Sequence, residues 1–339
     1  MRAVWIRKIG GPEVLEVRET PDPVPAAGEV RVRTKACGLN FAEVSARQGI
    51  YPDAPKPPSI VGYEVSGVID QLGEGVTGLE AGMRVMAICR FGGHADTVCA
   101  PAHQVVPIPD AMSFEEAAAM PVNYLTAWQM LFGIRRIAKG DRVLVHMAAG
   151  GVGTASLQLC KSVEGVTTYG TASGAKHDYI RKQGCDHPID YRTTDYVAAI
   201  EELTNGEGVD AVLDALGGKD WKKGYSILRP GGVLICFGLA NAQQAGTRSW
   251  WRLITQVLSI PRFNPLTMMG QNRGVSGVNL GTMWEHRAMI HDNLVRLLDL
   301  YERGVAKPHI DSTFPFEKAA EAHARIEHGK NLGKVLLIP

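Results

Sequence analysis

The feature of this chain that most constrains its fold is a glycine-rich turn between an apolar strand and a helix. Residues 142–147 have the continuous apolar character of a buried strand, and the turn Ala148-Ala149-Gly150-Gly151-Val152-Gly153 follows directly. Apolar residues then recur at helical spacing, at Val152, Ala155, Leu159, Cys160 and Val163. The turn matches the pattern G-x-G-x-x-G, except that Ala148 occupies the first glycine position.

This strand–turn–helix context predicts a dinucleotide-binding site. Small side chains let a pyrophosphate approach the backbone, and a helix N-terminus presents free N–H groups and a partial positive charge. We expect Ala149, Gly150, Gly151 and Val152 to contact the cofactor. The alternative is a tight turn between strand and helix that binds no ligand.

The segments around the turn alternate between strand and helix, as a parallel sheet requires. After the strand at 142–147, the apolar patterns predict further strands at residues 166–170, 188–190, 209–213, 233–237 and 274–278. Six parallel strands are the number in a doubly wound dinucleotide-binding sheet. The sequence therefore predicts an α/β fold for this part of the chain.

The first 110 or so residues have a different pattern. Short runs with period-two alternation, such as residues 29–33, are separated by loops rich in proline and glycine, which predicts a mostly β domain. Ser113 and Glu116 have the spacing of a capping box and predict a helix start, and Pro121 predicts a break within that helix. Two amphipathic helices and a closing strand at 334–338 are predicted at the C-terminus.

The residues after the second predicted strand favour NADPH over NADH. An NAD site places an acidic residue about 20 positions after the glycine turn, where it binds the ribose hydroxyls. In this chain that position is Gly170, which we expect to leave space, and residues 169–176 contain no carboxylate. Ser173 and Lys176 supply a hydroxyl and a cation suited to a 2′-phosphate, and Tyr191 is expected to close the same pocket. The alternative for Lys176 is a solvated helix residue.

Composition excludes several classes of protein. The chain has 36 Lys and Arg against 35 Asp and Glu, so no global charge attracts nucleic acid. No run of 18 apolar residues is present, and residues 1–8 lack the features of a secretory signal. The 6 cysteines form no C-x-x-C pair, so reduced thiols and a cytoplasmic location are expected.

The sequence predicts no metal site. Cys89, His94, Cys99 and His103 are the only clustered ligand types, and their C-x4-H-x4-C-x3-H spacing matches no common structural-zinc pattern. We expect buried thiols and surface imidazoles at these positions.

Several motifs together resemble the medium-chain dehydrogenase/reductase superfamily over the whole chain, in its zinc-free quinone oxidoreductase (zeta-crystallin-like) branch. They are Cys-Gly-Leu-Asn-Phe at 37–41, Arg-Gln-Gly-Ile-Tyr at 47–51, Gly-Tyr-Glu at 62–64, the glycine turn, and the C-terminal segment 331–339. Within this branch, residues 145–153 and 307–312 resemble most closely the vesicle amine transport protein group.

The resemblance implies a fold of two domains and a homodimer. A GroES-like, mostly β catalytic domain would comprise residues 1–122 and 280–339. A Rossmann domain with a doubly wound six-stranded parallel sheet would comprise residues 123–279 and bind NADPH.

The resemblance also implies a reaction without zinc. Zinc-dependent members have Cys, His and Cys where this chain has Asn40, Tyr63 and Val122. A quinone or an α,β-unsaturated carbonyl spreads the charge that a hydride brings, so hydrogen-bond donors can replace the metal. Asn40, Tyr51 and Tyr63 are the expected catalytic residues, along a cleft between the domains. The alternative for each tyrosine is aromatic packing with its hydroxyl in water.

Further residues follow from the resemblance alone. Asn40, Thr126, Phe237, Gly238 and Asn331 would contact the cofactor. Asn123 would line the substrate pocket.

A basic, aromatic stretch supports a second hypothesis. Residues 221–284 contain no Asp or Glu but seven Lys and Arg, and Trp250 and Trp251 lie in an amphipathic segment at its centre. Such a helix suits peripheral association with a membrane or lipid surface. The alternative is that both tryptophans line the substrate pocket or pack against a subunit.

Three functions are compatible with the sequence. The first is a zinc-independent, NADPH-dependent oxidoreductase that reduces a quinone or an α,β-unsaturated carbonyl. The second is an NADPH-binding vesicle or lipid-trafficking protein with little turnover, which would use the segment around Trp250–Arg252. The third is a zinc alcohol dehydrogenase. We expect the first, with a small-molecule substrate and no nucleic-acid partner.

Overall fold

The computed structural model of the protein describes residues 1–242, 250–284 and 286–339, with backbone alone at residues 250–253. The described residues form two compact units. The first unit comprises residues 1–125 and 280–339, and the second comprises residues 126–242 and 250–279.

Strands dominate the chain as far as residue 107, and strands and helices alternate after it. The strands, in chain order, are β1 (Arg2–Ile6), β2 (Leu15–Glu19), β3 (Glu29–Leu39), β4 (Ser59–Ile60), β5 (Glu64–Leu72), β6 (Arg84–Ile88), β7 (Thr97–Pro101), β8 (Val105–Pro107), β9 (Arg142–Val145), β10 (Thr167–Ala172), β11 (His187–Asp190), β12 (Val209–Asp214), β13 (Leu228–Cys236), β14 (Gly274–Gly277), β15 (Ile310–Pro315) and β16 (Lys334–Ile338). The helices are α1 (Phe41–Arg47), α2 (Phe114–Ala119), α3 (Pro121–Trp128), α4 (Gly151–Lys161), α5 (His177–Lys182), α6 (Tyr196–Leu203), α7 (Lys219–Ser226), α8 (Trp250–Leu258), α9 (Pro265–Gln271), α10 (Arg287–Glu302) and α11 (Ala319–Glu327). None of the helices in the described ranges is long and apolar enough to cross a membrane.

The first unit is built mainly from β-sheet, as predicted. Its larger sheet has the order β15-β16-β3-β5-β6-β8, with β7 also paired to β3, and its smaller sheet has the order β2-β1-β4. The long strand β3 alternates between core and surface, so that Val30 and Val32 are fully buried. Gly67 of β5 allows β3 to approach, because a Cβ there would lie 2.0 Å from the carbonyl oxygen of Arg33.

The predicted capping box and helix break are both present. The Ser113 hydroxyl accepts a hydrogen bond from the Glu116 N–H at 3.1 Å, and the Glu116 carboxylate accepts one from the Ser113 N–H at 3.1 Å. α2 ends at Ala119 and α3 begins at Pro121, so the proline divides one predicted helix into two.

The second unit contains the predicted doubly wound sheet. Its six parallel strands have the order β11-β10-β9-β12-β13-β14. Two predicted boundaries were wrong. β9 ends at Val145 rather than 147, because Met147 adopts a left-handed conformation with φ 52°. β13 begins at Leu228 rather than 233, because Leu228 already pairs with Val209 before an irregularity in the ladder.

Candidate nucleotide and substrate sites

The glycine turn leaves the first turn of α4 available to a ligand. Gly150 is the N-cap of this 11-residue helix, and the first intrahelical hydrogen bond runs from the Thr154 N–H to the Gly150 carbonyl at 2.8 Å. The preceding N–H groups of the first turn therefore have no acceptor within the helix. Gly151 and Val152 are half-exposed, so their N–H groups are accessible, whereas the Gly150 N–H donates to the Met147 carbonyl at 2.9 Å.

Two glycines of the turn, Gly150 and Gly153, have different roles. A Cβ on Gly153 would lie 2.5 Å from the Met147 oxygen and 2.7 Å from Ala148 Cα, so only glycine allows the helix to pack on the turn. A Cβ on Gly150 would meet only the Met147 oxygen, at 3.3 Å, so its outer face is open. The turn therefore has the open backbone that a dinucleotide pyrophosphate requires.

The carboxyl ends of β10 and β11 bring three predicted cofactor residues onto neighbouring loops. Ser173, buried, follows β10 directly, and Lys176 ends the short turn before α5. Tyr191 follows β11 and is 57% exposed. The two strands are parallel, with Ala172 paired to Asp190, so both loops leave the same edge of the sheet.

The expectation that Gly170 leaves space for the cofactor was wrong. Gly170 lies inside β10 rather than at its end, and it is buried. A Cβ there would lie 2.7 Å from Cys185 Sγ and 3.0 Å from Ala148 Cβ. The missing side chain therefore serves the packing of β10.

The remaining predicted cofactor and pocket residues occupy varied environments. Thr126 and Asn123 are buried on α3, whereas Phe237 and Gly238 follow β13 and are half-buried. The Asn331 amide donates a hydrogen bond to the Gly333 carbonyl at 2.8 Å. The predicted roles of Trp250 and Trp251 concern side chains that lie outside the described residues.

In the first unit, Asn40 lies at the centre of a charged network. Its amide nitrogen donates to Glu64 Oε1 at 2.9 Å and to Glu43 Oε1 at 3.3 Å. Its amide oxygen accepts a hydrogen bond from Lys334 Nζ at 2.6 Å, and Lys334 also donates to Glu64. The second Glu64 oxygen accepts the Val122 N–H at 2.7 Å. Both amide hydrogens of Asn40 are thus engaged, which leaves the oxygen as the atom that can accept one more hydrogen bond.

The network contains two carboxylates and one ammonium group in a buried environment. Glu43 and Glu64 are fully buried, and Lys334 is 3% exposed. Burial raises the pKa of Glu43 to about 8, although the charge of Lys334 opposes this rise. Glu43 therefore carries a proton at neutral pH, and Lys334 balances one carboxylate.

Sequence reasoning missed Glu43, Glu64 and Lys334. Two signals in the sequence could have identified part of the network. Lys334 begins a strand whose next residues are all apolar, and Glu64 is followed directly by five apolar or small residues, 65–69. A charged residue in such a strand needs a buried partner.

Tyr63 belongs to an aromatic cluster that also contains Tyr51, Phe91 and Trp284. Ring centroids lie 5.3 Å apart for Tyr63 and Phe91, 6.3 Å for Tyr63 and Tyr51, and 6.4 Å for Tyr63 and Trp284, whose planes are within 9° of parallel. Tyr63 is 5% exposed, and its hydroxyl lies beside the Tyr51 hydroxyl but forms no hydrogen bond of standard length and angle among the described residues. Burial raises the pKa of both tyrosines, so both hydroxyls keep their protons and remain donors.

Cys89 and His94 of the C-x4-H-x4-C-x3-H segment have structural roles. Cys89 Sγ donates to the Gly62 carbonyl, and the His94 ring contacts the Gly38 carbonyl at 3.2 Å. His94 is fully buried, which differs from the predicted surface imidazole, because it packs under β3 in the core. Within the described ranges, no group of three or more His, Cys, Asp or Glu side chains is arranged to hold a metal ion.

Three buried histidines make the stability of the protein sensitive to acid. Burial lowers the pKa of His94 and His146 to about 4, and it holds the pKa of His323 well below its usual value. Because the unfolded chain binds these protons near pH 6.5, the free energy of unfolding falls as the pH drops below about 6.5. Glu43 opposes this trend, since its raised pKa makes the folded state hold a proton that the unfolded state loses above pH 4.5.

We expect His323→Leu to reduce the loss of stability between about pH 7.5 and about pH 5.5 by about 1.4 kcal/mol. Both ring nitrogens of His323 are buried without partners, so the substitution breaks no hydrogen bond. Urea unfolding at the two pH values measures the effect, and His328→Leu, at the exposed end of the same helix, is the control. If the free energy of unfolding of the wild type and of His323→Leu depended equally on pH, His323 would not be a source of the acid sensitivity.

The two units and the open turn are typical of the dehydrogenases that bind a dinucleotide. Two family models agree with this class. The model described as "Alcohol dehydrogenase GroES-like domain" matches residues 26–110, and the model described as "Zinc-binding dehydrogenase" matches residues 183–337. The chain belongs to the medium-chain dehydrogenase/reductase superfamily, in the branch of the VAT-1 homologues and quinone oxidoreductases. This confirms the predicted family and fold class and places the chain among oxidoreductases.

Individual relatives support this assignment. The human synaptic vesicle membrane protein VAT-1 homolog is 43% identical, over 100% of this chain and 86% of that protein. The crystal structure of the human VAT-1 homolog-like protein is 37% identical with a TM-score of 0.87, over 100% of this chain and 98% of that one. The Escherichia coli quinone oxidoreductase complexed with NADPH is 29% identical with a TM-score of 0.88, over 100% of both chains.

Proposed function

We propose that the protein is an NADPH-dependent oxidoreductase that reduces a quinone or an α,β-unsaturated carbonyl without a metal ion. The observation that carries the proposal is the Tyr63 hydroxyl, a protonated donor that is buried without a partner among the described residues, in an aromatic cluster. A buried polar group without a partner is costly, and a carbonyl oxygen of a substrate would supply the acceptor that it lacks.

The proposed cofactor residues are those that the sequence predicted. The open turn at Gly150 offers the backbone N–H groups of Gly151 and Val152 to the pyrophosphate. Ser173, Lys176 and Tyr191 receive the 2′-phosphate, and the other contacts come from Asn40, Thr126, Ala149, Phe237, Gly238 and Asn331. When bound, NADPH supplies the hydride. The relative solved with NADPH, at 29% identity, supports this choice of cofactor.

The residues of the first unit provide electrostatic stabilisation in place of a metal. Tyr63 donates a hydrogen bond to the substrate oxygen on which negative charge develops, and Tyr51 is the second donor. The network of Glu43, Glu64 and Lys334 fixes the orientation of the Asn40 amide, so its oxygen points in one direction. Asn123 lines the substrate pocket.

The direct test is steady-state oxidation of NADPH by the purified protein with a naphthoquinone and with a linear enone as acceptors. We expect turnover with at least one acceptor and saturation with NADPH in a fluorescence titration. A protein that neither quenches nor shifts NADPH fluorescence would refute the proposal.

A second function is favoured by the surface of α8 and α9. Large apolar side chains are exposed there: Ile254, Val257, Leu258, Leu266 and Met269, at 44–79%. The surrounding residues 221–284 contain no acidic side chain. The name of the VAT-1 relatives, synaptic vesicle membrane proteins, adds support for peripheral binding to a lipid surface.

We expect the double variant Leu258→Glu/Met269→Glu to abolish co-sedimentation with anionic liposomes, because it replaces apolar contacts by charges that the lipid surface repels. Val24→Glu is the matched control, since Val24 is 76% exposed in the other unit. Equal co-sedimentation of the double variant and the control would remove this second function.

A further inference from the structure

Two neighbouring loops meet at the edge of the sheet where the 2′-phosphate is proposed to bind. β10 and β11 run parallel, with Gly170 paired to Pro188 and Ala172 paired to Asp190. The residues that follow, Ser173 on one loop and Tyr191 on the other, therefore leave the sheet side by side. In doubly wound sheets, ligands bind outside the carboxyl ends of the strands.

Asp190 fixes the spacing between these loops. One carboxylate oxygen accepts the Gly174 N–H at 2.8 Å, and the other accepts the Arg192 N–H at 3.0 Å. A Cβ on Gly174 would lie 2.7 Å from the first of these oxygens, so glycine permits the approach. These backbone N–H groups, that of Arg192 foremost, hold the pKa of Asp190 below its usual value. Both carboxylate oxygens of Asp190 are thus engaged with the backbone.

We call these two hydrogen bonds of Asp190 the Asp190 clamp. The side chain of Arg192 is exposed next to it. Its guanidinium carbon lies 6.0 Å from the centroid of the Tyr191 ring, which is itself exposed. Within the part of the chain that the structure describes, Arg192 forms no ion pair with a carboxylate. A guanidinium group that rests on an aromatic ring keeps its N–H groups free for an anion.

We propose that Arg192 is a specificity-determining residue that binds the 2′-phosphate of the dinucleotide and so sets a preference for NADPH over NADH. The planar guanidinium donates two parallel hydrogen bonds to phosphate oxygens, which a lysine cannot reproduce. The Asp190 clamp holds the backbone of Arg192 beside the loop of Ser173 and Lys176. The inference rests on the proposed NADPH-dependent function and adds a residue to its cofactor site.

The test compares NADPH and NADH binding by fluorescence titration in the wild type, Arg192→Gln and Arg192→Lys. We expect Arg192→Gln to weaken NADPH binding about tenfold or more and to leave NADH binding unchanged, since the substitution removes charge-assisted hydrogen bonds that only the 2′-phosphate accepts. Arg192→Lys is expected to recover part of the loss, and NADPH binding to Arg192→Gln should depend less on salt than binding to the wild type.

Arg181→Gln is the matched control, because Arg181 is exposed on α5 and pairs only with the neighbouring Asp178 at 3.3 Å among the residues described. Equal effects of the two glutamine variants, or equal losses for NADPH and NADH, would overturn the inference. A wild type that binds both dinucleotides equally would overturn it too, while leaving dinucleotide binding intact. A wild type that binds neither would overturn the proposed function as well. Thermal unfolding of each variant shows that folding is retained.

Discussion

Replacement of Lys334 by methionine is expected to lower the free energy of unfolding by about 3–5 kcal/mol, because it leaves the buried Glu64 carboxylate without its cation. Lys334 is 3% exposed and donates to both Asn40 and Glu64. Methionine fills a similar volume, so the loss of stability would come from the missing positive charge rather than from a cavity. Urea unfolding followed by circular dichroism measures the change.

A double variant separates the charge effect from packing. In Lys334→Met/Glu64→Gln the unpaired carboxylate is removed together with the ammonium group, so we expect it to recover a substantial part of the lost stability. Lys139→Met is the control, since Lys139 pairs with Glu164 while being 70% exposed. Such an exposed pair contributes about 0–1 kcal/mol. A loss in Lys334→Met no larger than in Lys139→Met would show that the network is not structural.

Replacement of Tyr63 by phenylalanine is expected to lower kcat/KM for quinone or enone reduction about a hundredfold, because it removes a hydrogen-bond donor to the developing oxyanion. The ring remains and still packs against Phe91 and Trp284. Because the hydroxyl has no partner in the described residues, its removal should leave the stability unchanged or slightly higher. The activity would therefore fall while the free energy of unfolding stays the same or rises slightly.

Tyr225→Phe provides the matched control for this experiment. The Tyr225 hydroxyl is also buried without a partner among the described residues, but it lies in the second unit, where the ring packs against Phe263 at 5.3 Å. We expect Tyr225→Phe to keep full activity. Activity of Tyr63→Phe equal to that of the control would remove Tyr63 from the mechanism and leave Tyr51 as the donor.

The fold could be predicted from the sequence because its signals are local. The order of apolar strands and helical spacings indicated the six-stranded sheet, and Ser113, Glu116 and Pro121 marked a helix start and a break. The wrong boundaries have tertiary causes. β13 starts at Leu228 because β12 is beside it, and a single-residue conformation at Met147 ends β9 early.

The candidate site was predictable only in part. The glycine turn and the loops after β10 and β11 are contiguous in sequence, so their residues could be named in advance. The partners of Asn40 could not, because Glu64 and Lys334 come from strands 24 and 294 residues away along the chain. Gly170 was misinterpreted for the same reason, since the atoms that fill its space belong to Cys185 and Ala148. Distant pairings of this kind leave no local pattern.

The most direct measurement is reduction of a quinone by NADPH with the wild-type protein after exhaustive dialysis against a chelator. The account predicts turnover that saturates with NADPH, is unchanged by the chelator, and is not increased when zinc is added back. Turnover that disappears with the chelator and returns with zinc, or a protein that does not bind NADPH, would contradict metal-free reduction.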